Sequence, residues 1–295
     1  MRKDIEFNAE GVMLRGWLYL PEETTGSVPI IVMAHGFSAV KEQYLDLFAD
    51  VFSQAGLSVL VFDNRNFGAS EGEQRQEIDP WQQVRDYRHA ITFARTLPEV
   101  DKTRLGIWGS SYSGGHVLVV GAIDRRVKCV VSQVPTISGS ANAQRRVRPD
   151  LVPAVLERFD ADREARFSGE SPQMIPVVSE DAATPCALPG GVCWEFFNTS
   201  RSFAQAWRNE VTLRTSEMAR EYEPGIYVPD ISPTPLLMIV GTQDTLTSTD
   251  LALQAFQRAL EPKKLLFLKG GHFVPYVERF EEASAAAKDW FTEHL

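Results

Sequence analysis

Three serines stand among three glycines in Gly109-Ser110-Ser111-Tyr112-Ser113-Gly114-Gly115, directly after the apolar run 105–108. Small residues let a chain turn sharply from strand to helix and hold one hydroxyl out into a cleft, which points to nucleophilic chemistry. Two frames of the G-x-S-x-G kind compete here. In Gly109-Ser110-Ser111-Tyr112-Ser113 serine replaces the last glycine, and in Ser111-Tyr112-Ser113-Gly114-Gly115 it replaces the first. A strand ending at Trp108 makes Ser111 the turn residue and puts 113–115 on the opening turn of the helix. Ser111 is therefore the candidate nucleophile.

A serine hydroxyl is a poor nucleophile at neutral pH and needs a base in hydrogen-bond reach, itself oriented by an acid. Five histidines are available. His89 falls within a helix, His116 follows the nucleophile on its own helix and His294 is penultimate; these three read as structural. His35 ends an apolar strand before Gly36-Phe37 and would shape a loop. His272, in Lys269-Gly270-Gly271-His272-Phe273, lies between the last expected strand and the last helix, and is the candidate base. Gly241-Thr242-Gln243-Asp244 brings a carboxylate to the carboxyl end of a strand over 236–240, where open α/β sheets place their sites. Asp244 is the candidate acid, and Asp250, which reads as an N-cap of the next helix, is the runner-up. Acyl transfer also needs donors aimed at the developing oxyanion, each worth roughly 3 to 4 kcal/mol of barrier. The backbone N–H groups of Tyr112 and Phe37 are the candidates.

The elements that must position these groups are visible in the hydrophobic pattern. Strands are expected over 4–7, 12–20, 29–34, 57–62, 104–108, 127–131, 236–240 and 265–268. Helical periodicity separates the later ones. Over 40–55 the residues Leu47, Phe48, Val51, Phe52 and Ala55 define one face, with Gly56 as C-cap. Asp79-Pro80 opens a helix carrying Val84, Tyr87, Ile91 and Ala94. Further helices are expected over 250–260 and at the end of the chain, where Tyr276, Phe280, Ala287 and Trp290 share a face. Such alternation predicts a mostly parallel sheet flanked by helices. It stops over 134–233, a Pro-, Arg- and acid-rich stretch with the aromatics Trp194, Phe196, Phe197, Phe203 and Trp207. The expected organisation is thus one α/β core, 1–133 and 234–295, interrupted by an inserted helical cap at 134–233.

Taken together, strand, His35-Gly36-Phe37, Ser111 elbow, Asp244 and His272 resemble the α/β-hydrolase superfamily over nearly the whole chain. The words Ala34-His35-Gly36-Phe37-Ser38-Ala39-Val40-Lys41-Glu42 and Asp63-Asn64-Arg65-Asn66-Phe67-Gly68-Ala69-Ser70 resemble the branch of dienelactone hydrolases and X-prolyl dipeptidyl peptidases, which includes polyketide transferases and thioesterases. The resemblance implies a cofactor-independent serine hydrolase or acyltransferase working on esters or thioesters through an acyl-serine. Hydrolysis, transfer and lactonisation all remain open. Dienelactone hydrolases differ in using a cysteine nucleophile, and dehalogenases and epoxide hydrolases in using aspartate. X-prolyl peptidases normally carry large extra domains for which this chain has no room. A non-catalytic ligand-binding relative, or a C–C bond hydrolase or peptidase on the same framework, is the rival reading.

Composition narrows the partners. With 44% hydrophobic and 23% charged residues the chain is that of a globular protein. A formal charge of -9 argues against a charge-driven grip on nucleic acid or anionic membrane. The expected ligand is a small-molecule acyl substrate. No span-length apolar run and no apolar N-terminal signal region are present, so the expected compartment is the cytoplasm. Cys129, Cys186 and Cys193 have neither disulfide nor zinc spacing, and no metal is expected. Arg145, Arg146 and Arg148, at the entry to the cap, form a cluster able to attract a phosphate-bearing carrier such as coenzyme A. Arg65 is expected to tie backbone carbonyls.

Overall fold

The computed structural model describes residues 1–22 and 26–295. Strands β1 (Arg2–Ala9) and β2 (Val12–Tyr19) pair antiparallel through Glu10-Gly11, both at positive φ, as a tight hairpin turn requires. The remaining sheet strands are β3 (Val28–Ala34), β4 (Ser58–Phe62), β5 (Val100–Ser110) and β6 (Cys129–Gln133). After β7 (Met174–Ile175) and β8 (Val211–Thr212), which form a separate two-stranded ribbon, come β9 (Leu236–Gly241) and β10 (Lys263–Leu268). The eight-stranded sheet runs β1-β2-β4-β3-β5-β6-β9-β10, parallel from β4 onward. This is the α/β-hydrolase architecture.

The central strands are apolar along their length because both faces are covered. Ile30, Val32 and Ala34 of β3 lie on the sheet face covered by α2 (Pro80–Ala94), α3 (Tyr112–Ile123) and α8 (Thr249–Arg258), while Ile31 and Met33 lie on the face covered by α1 (Leu45–Gln54) and α9 (Phe280–His294). The Asp79 carboxylate caps α2 by accepting from the N–H groups of Trp81 and Gln82. Helix α1 starts five residues later than its periodicity predicts and buries Leu45, Phe48, Ala49 and Phe52, leaving Leu47 42% exposed. Both sets of positions recur at helical spacing, so sequence alone admits either face; the sheet selects one. Asp250 lies in the first turn of α8, whose N-cap is Ser248.

Between β6 and β9 the chain leaves the sheet and forms α4 (Gly139–Arg146), α5 (Val152–Phe167), α6 (Gly191–Ser200) and α7 (Leu213–Glu221) with the small ribbon. Phe197 and Trp207 stack at 5.2 Å inside this segment, and Phe196 stacks on Phe273 of the core at 4.2 Å. None of the described helices is long and apolar enough to cross a membrane.

Buried polar groups tie the layers. The Tyr87 hydroxyl, from α2, donates to the Trp108 carbonyl and accepts from the Ala34 N–H, both at 2.8 Å, and meets Ser113 Oγ at the same distance. One side chain thus joins β3, β5 and α3 beneath the elbow. His116, fully buried on α3, lies 2.9 Å from both Gln83 Oε1 and the Tyr222 hydroxyl. Because the Gln83 oxygen can only accept, the His116 Nε2–H donates to it and Nδ1 accepts from Tyr222. Burial, with His35 adding to it, lowers the His116 pKa to about 3.

The unfolded imidazole titrates near pH 6.5, so below that pH the unfolded chain binds a proton that the folded chain refuses. The His116 contribution to stability is therefore complete above about pH 6.5 and declines as the pH falls toward 3. His35, also lowered by burial, acts in the same sense. Comparing denaturation midpoints of wild type and His116→Gln should show a loss between about pH 7 and 5 that is roughly 2 kcal/mol larger in wild type. Parallel pH curves would contradict this.

Candidate active site

The elbow is built by close approach. A Cβ on Gly109 would stand 2.2 Å from the Ser113 carbonyl oxygen, and one on Gly36 would stand 3.0 Å from both Ser110 O and Ser111 Cβ. Gly109→Ala should therefore destabilise by about 3 kcal/mol or more in chemical denaturation, since backbone rather than a flexible side chain must give way. Ser111 sits at φ 61°, ψ -117°, a strained conformation for a residue with a side chain, and its N–H and C=O are held by Gln133 O and Thr136 N at 2.9 Å each.

Of the three clustered hydroxyls, two are engaged elsewhere. Ser110 Oγ is buried and accepts from Tyr276 and, at 3.0 Å, from Gln133 Nε2. Ser113 Oγ is buried against Tyr87. Ser111 Oγ lies 2.9 Å from His272 Nε2, and His272 Nδ1 lies 2.7 Å from Asp244 Oδ2. A carboxylate accepts only, so Nδ1 carries the proton and Nε2 is left as the acceptor facing the hydroxyl.

Asp244 is held from every side. Its Oδ1 accepts from the N–H groups of Leu246 and Thr247 at 2.8 and 3.0 Å, and its Oδ2 accepts from the Thr247 hydroxyl at 2.9 Å. Burial would raise its pKa, but His272 and these donors outweigh it and lower the value to about 2. Thr247 was not legible as a site residue, since its role depends on the chain doubling back after β9. Asp250 instead pairs with Arg145 at 2.6 Å on the surface.

Phe37 and Tyr112 meet edge to face at 5.6 Å, and neither main-chain N–H has a backbone acceptor outside helix and strand ladders among the described residues. The Phe37 loop is fixed from below. Asp63, fully buried, takes Lys41 Nζ at 2.7 Å, Lys41 N at 2.8 Å and Ala69 N at 2.9 Å, locking the loop after β3 to the loop after β4. His35 contributes by accepting from Asn64 N at 3.2 Å through Nε2. Arg65 departs from its expected role: it forms a buried ion pair with Asp86, Nε to Oδ2 2.7 Å, and among the described residues one long contact to a backbone carbonyl, Ala9 O at 3.4 Å.

A cavity of about 570 Å³ opens in front of Ser111, walled by Phe37, Tyr112 and Leu246 of the core and by Val155, Phe159 and Leu188 of the 134–233 segment. An imidazole nitrogen facing a serine hydroxyl, two N–H groups beside it and a half-open, largely apolar cavity make up what acyl transfer requires.

The sequence profile of the X-Pro dipeptidyl-peptidase (S15) family matches residues 10–274. The chain belongs to that family. This S15-family protein is 34% identical over 269 residues to thiohydrolase aneE of Aspergillus aculeatus, covering 89% of this chain and 83% of the relative. It is 33% identical to polyketide transferase grgF of Penicillium sp, over 92% and 89% of the two chains. The crystal structure of the α/β hydrolase GrgF from Penicillium sp. sh18 superposes with a TM-score of 0.86 at 30% identity, covering 100% of this chain and 99% of that one. A DcsB complex with its substrate analogue gives 0.89 at 28% identity, with both chains fully covered. This S15-family chain is an enzyme of the serine-hydrolase type with the α/β-hydrolase fold.

Proposed function

We propose that the protein is a hydrolase or acyltransferase of carboxylic esters or thioesters, with Ser111 as nucleophile, His272 as general base and acid, and Asp244 as the orienting acid. Ser111 Oγ attacks the acyl carbonyl carbon as its proton passes to His272 Nε2. The N–H groups of Phe37 and Tyr112 hold the resulting oxyanion. When the carbonyl reforms, the carbon–sulfur or carbon–oxygen bond breaks and the leaving thiolate or alkoxide takes the proton from His272. Water, or a hydroxyl held in the cavity, then gives its proton to His272 and attacks the acyl-serine carbonyl, and as the carbon–Oγ bond breaks His272 returns the proton to Ser111 Oγ, restoring the free hydroxyl and imidazole. The segment 134–233 acts as the cap that walls the acyl chain off from solvent, and for a thioester substrate the leaving group is the thiol of its carrier.

The observation that carries this reading is the unbroken contact from Ser111 Oγ to His272 to Asp244, at 2.9 and 2.7 Å. The relatives named as thiohydrolase and polyketide transferase support the thioester over the X-Pro amide as substrate. A panel of p-nitrophenyl esters, acyl thioesters and X-Pro amides, assayed on wild type and Ser111→Ala, tests it. Esters or thioesters should be turned over by wild type alone; a preference for X-Pro amides would replace the substrate assignment with a peptidase.

A further inference from the structure

The cavity in front of Ser111 carries charge of one sign. Arg146, Arg148, Arg158 and Arg220 line it, and among the described residues no aspartate, glutamate or lysine does. The chain as a whole has 39 acidic residues against 30 lysines and arginines, so the wall reverses the charge balance of the protein that contains it. Pairing does not divide the segment cleanly, since Arg201 and Arg208, outside the wall, form no salt bridge among the described residues. Arg145, Arg163, Arg166 and Arg214 of the same segment stand outside the cavity wall, and each has a carboxylate: Asp250, Asp160, Asp162 and Glu77 in turn. Arg148 in the wall is bound to Asp150.

Arg146, Arg158 and Arg220 form no salt bridge among the described residues. Arg146 donates one N–H to the Leu246 carbonyl, and Arg220 lies 5.9 Å from the Phe159 ring. Arg158 and Arg220 are half-buried, and Arg146 is exposed at the cavity wall, where the protein packed around it lowers its pKa. Guanidinium groups partly removed from water without a counter-charge are unfavourable until an anion joins them, and their forked donors suit carboxylate or phosphate oxygens.

We propose that Arg146, Arg158 and Arg220 form an anion subsite that binds a carboxylate or phosphate group on the substrate whose acyl carbon reaches Ser111. The proposal rests on the acyl-serine reading for the second half of that statement, and on the charge and pairing of the cavity wall for the first. Two sources share this chemistry: a carboxylate at the far end of the acyl chain, or a phosphate on the carrier arm of a thioester.

Binding separates the subsite from turnover. Ser111→Ala protein is titrated calorimetrically with three ligands: the octanoyl thioester of N-acetylcysteamine, which is neutral, its ω-carboxy analogue, and octanoyl-coenzyme A. One of the two anionic ligands should bind at least about tenfold more tightly than the neutral one. Adding Arg158→Gln or Arg220→Gln should remove at least about tenfold of that preference, whereas Arg145→Gln, on a residue already paired with Asp250, should leave it intact. The arm that loses affinity identifies the anion's source. Arg146 is kept for a later variant because it also supports the Leu246 carbonyl beside Asp244. Equal affinity for all three ligands, no binding at all, or a preference that survives both arginine variants overturns the subsite. A wild-type enzyme that fails to take a fluorophosphonate at Ser111 but still binds the anionic ligand through these arginines would overturn the acyl-serine reading alone.

Discussion

Ser111→Ala should fold as the wild type does and lose on the order of 10⁴ to 10⁶ of kcat, the range reached when a serine nucleophile is deleted from an intact oxyanion site. The size follows from the loss of the covalent route, with only binding and oxyanion stabilisation remaining. A fluorophosphonate should label wild type at Ser111 and leave the variant unmodified, with peptide mass spectrometry locating the adduct. Residual activity of several per cent, or an adduct on Ser110 or Ser113, would mean that the wrong hydroxyl has been assigned. Folding is a separate readout, and here the backbone makes its own prediction. At φ 61° glycine is relaxed and alanine is not, so Ser111→Gly should be more stable than Ser111→Ala by about 1 kcal/mol.

Asp244→Asn is the second large effect. The carboxylate accepts four hydrogen bonds, from Leu246 N, Thr247 N, Thr247 Oγ1 and His272 Nδ1. An amide has one oxygen for these donors and puts N–H groups where the second oxygen was. If its NH₂ faces His272, the imidazole must turn to the other tautomer, with the proton on Nε2, and cannot accept from Ser111. The expected fall in kcat is about 10⁴-fold, with substrate binding little changed. Asp250→Asn, on the carboxylate that pairs with Arg145 at the surface, should leave kcat within about twofold. Loss of activity on Asp250→Asn instead of Asp244→Asn would reassign the acid.

The pattern of apolar runs determined the order of strands and helices, since each strand buried on both faces must be apolar throughout and each covering helix must present one apolar stripe. It also determined where small residues crowd, because Gly109 and Gly36 leave no room for a Cβ. Periodicity did not determine which face of α1 packs inward, for Leu45, Phe48, Ala49 and Phe52 satisfy the same spacing as the set beginning at Leu47. The loop words around Lys41 and Asp63 were legible as a resemblance, but their buried ion pair was not, since nothing local shows that two loops 22 residues apart share a charge.

Candidate site residues could be named from residue type and position alone: a serine at a tight turn, a histidine before the last helix, an aspartate at a strand's carboxyl end. Whether they touch is a different matter. Ser111 and His272 are 161 residues apart, and their hydroxyl and imidazole meet only because β5, β6, β9 and β10 are neighbours in the sheet. The same holds for Arg145 and Arg146, adjacent in sequence, of which one faces Asp250 at the surface and the other the cavity. Sequence determines which groups a strand end or helix turn offers; direction and distance come from how the layers pack, because side chains a few ångströms apart in space carry no shared signature along the chain.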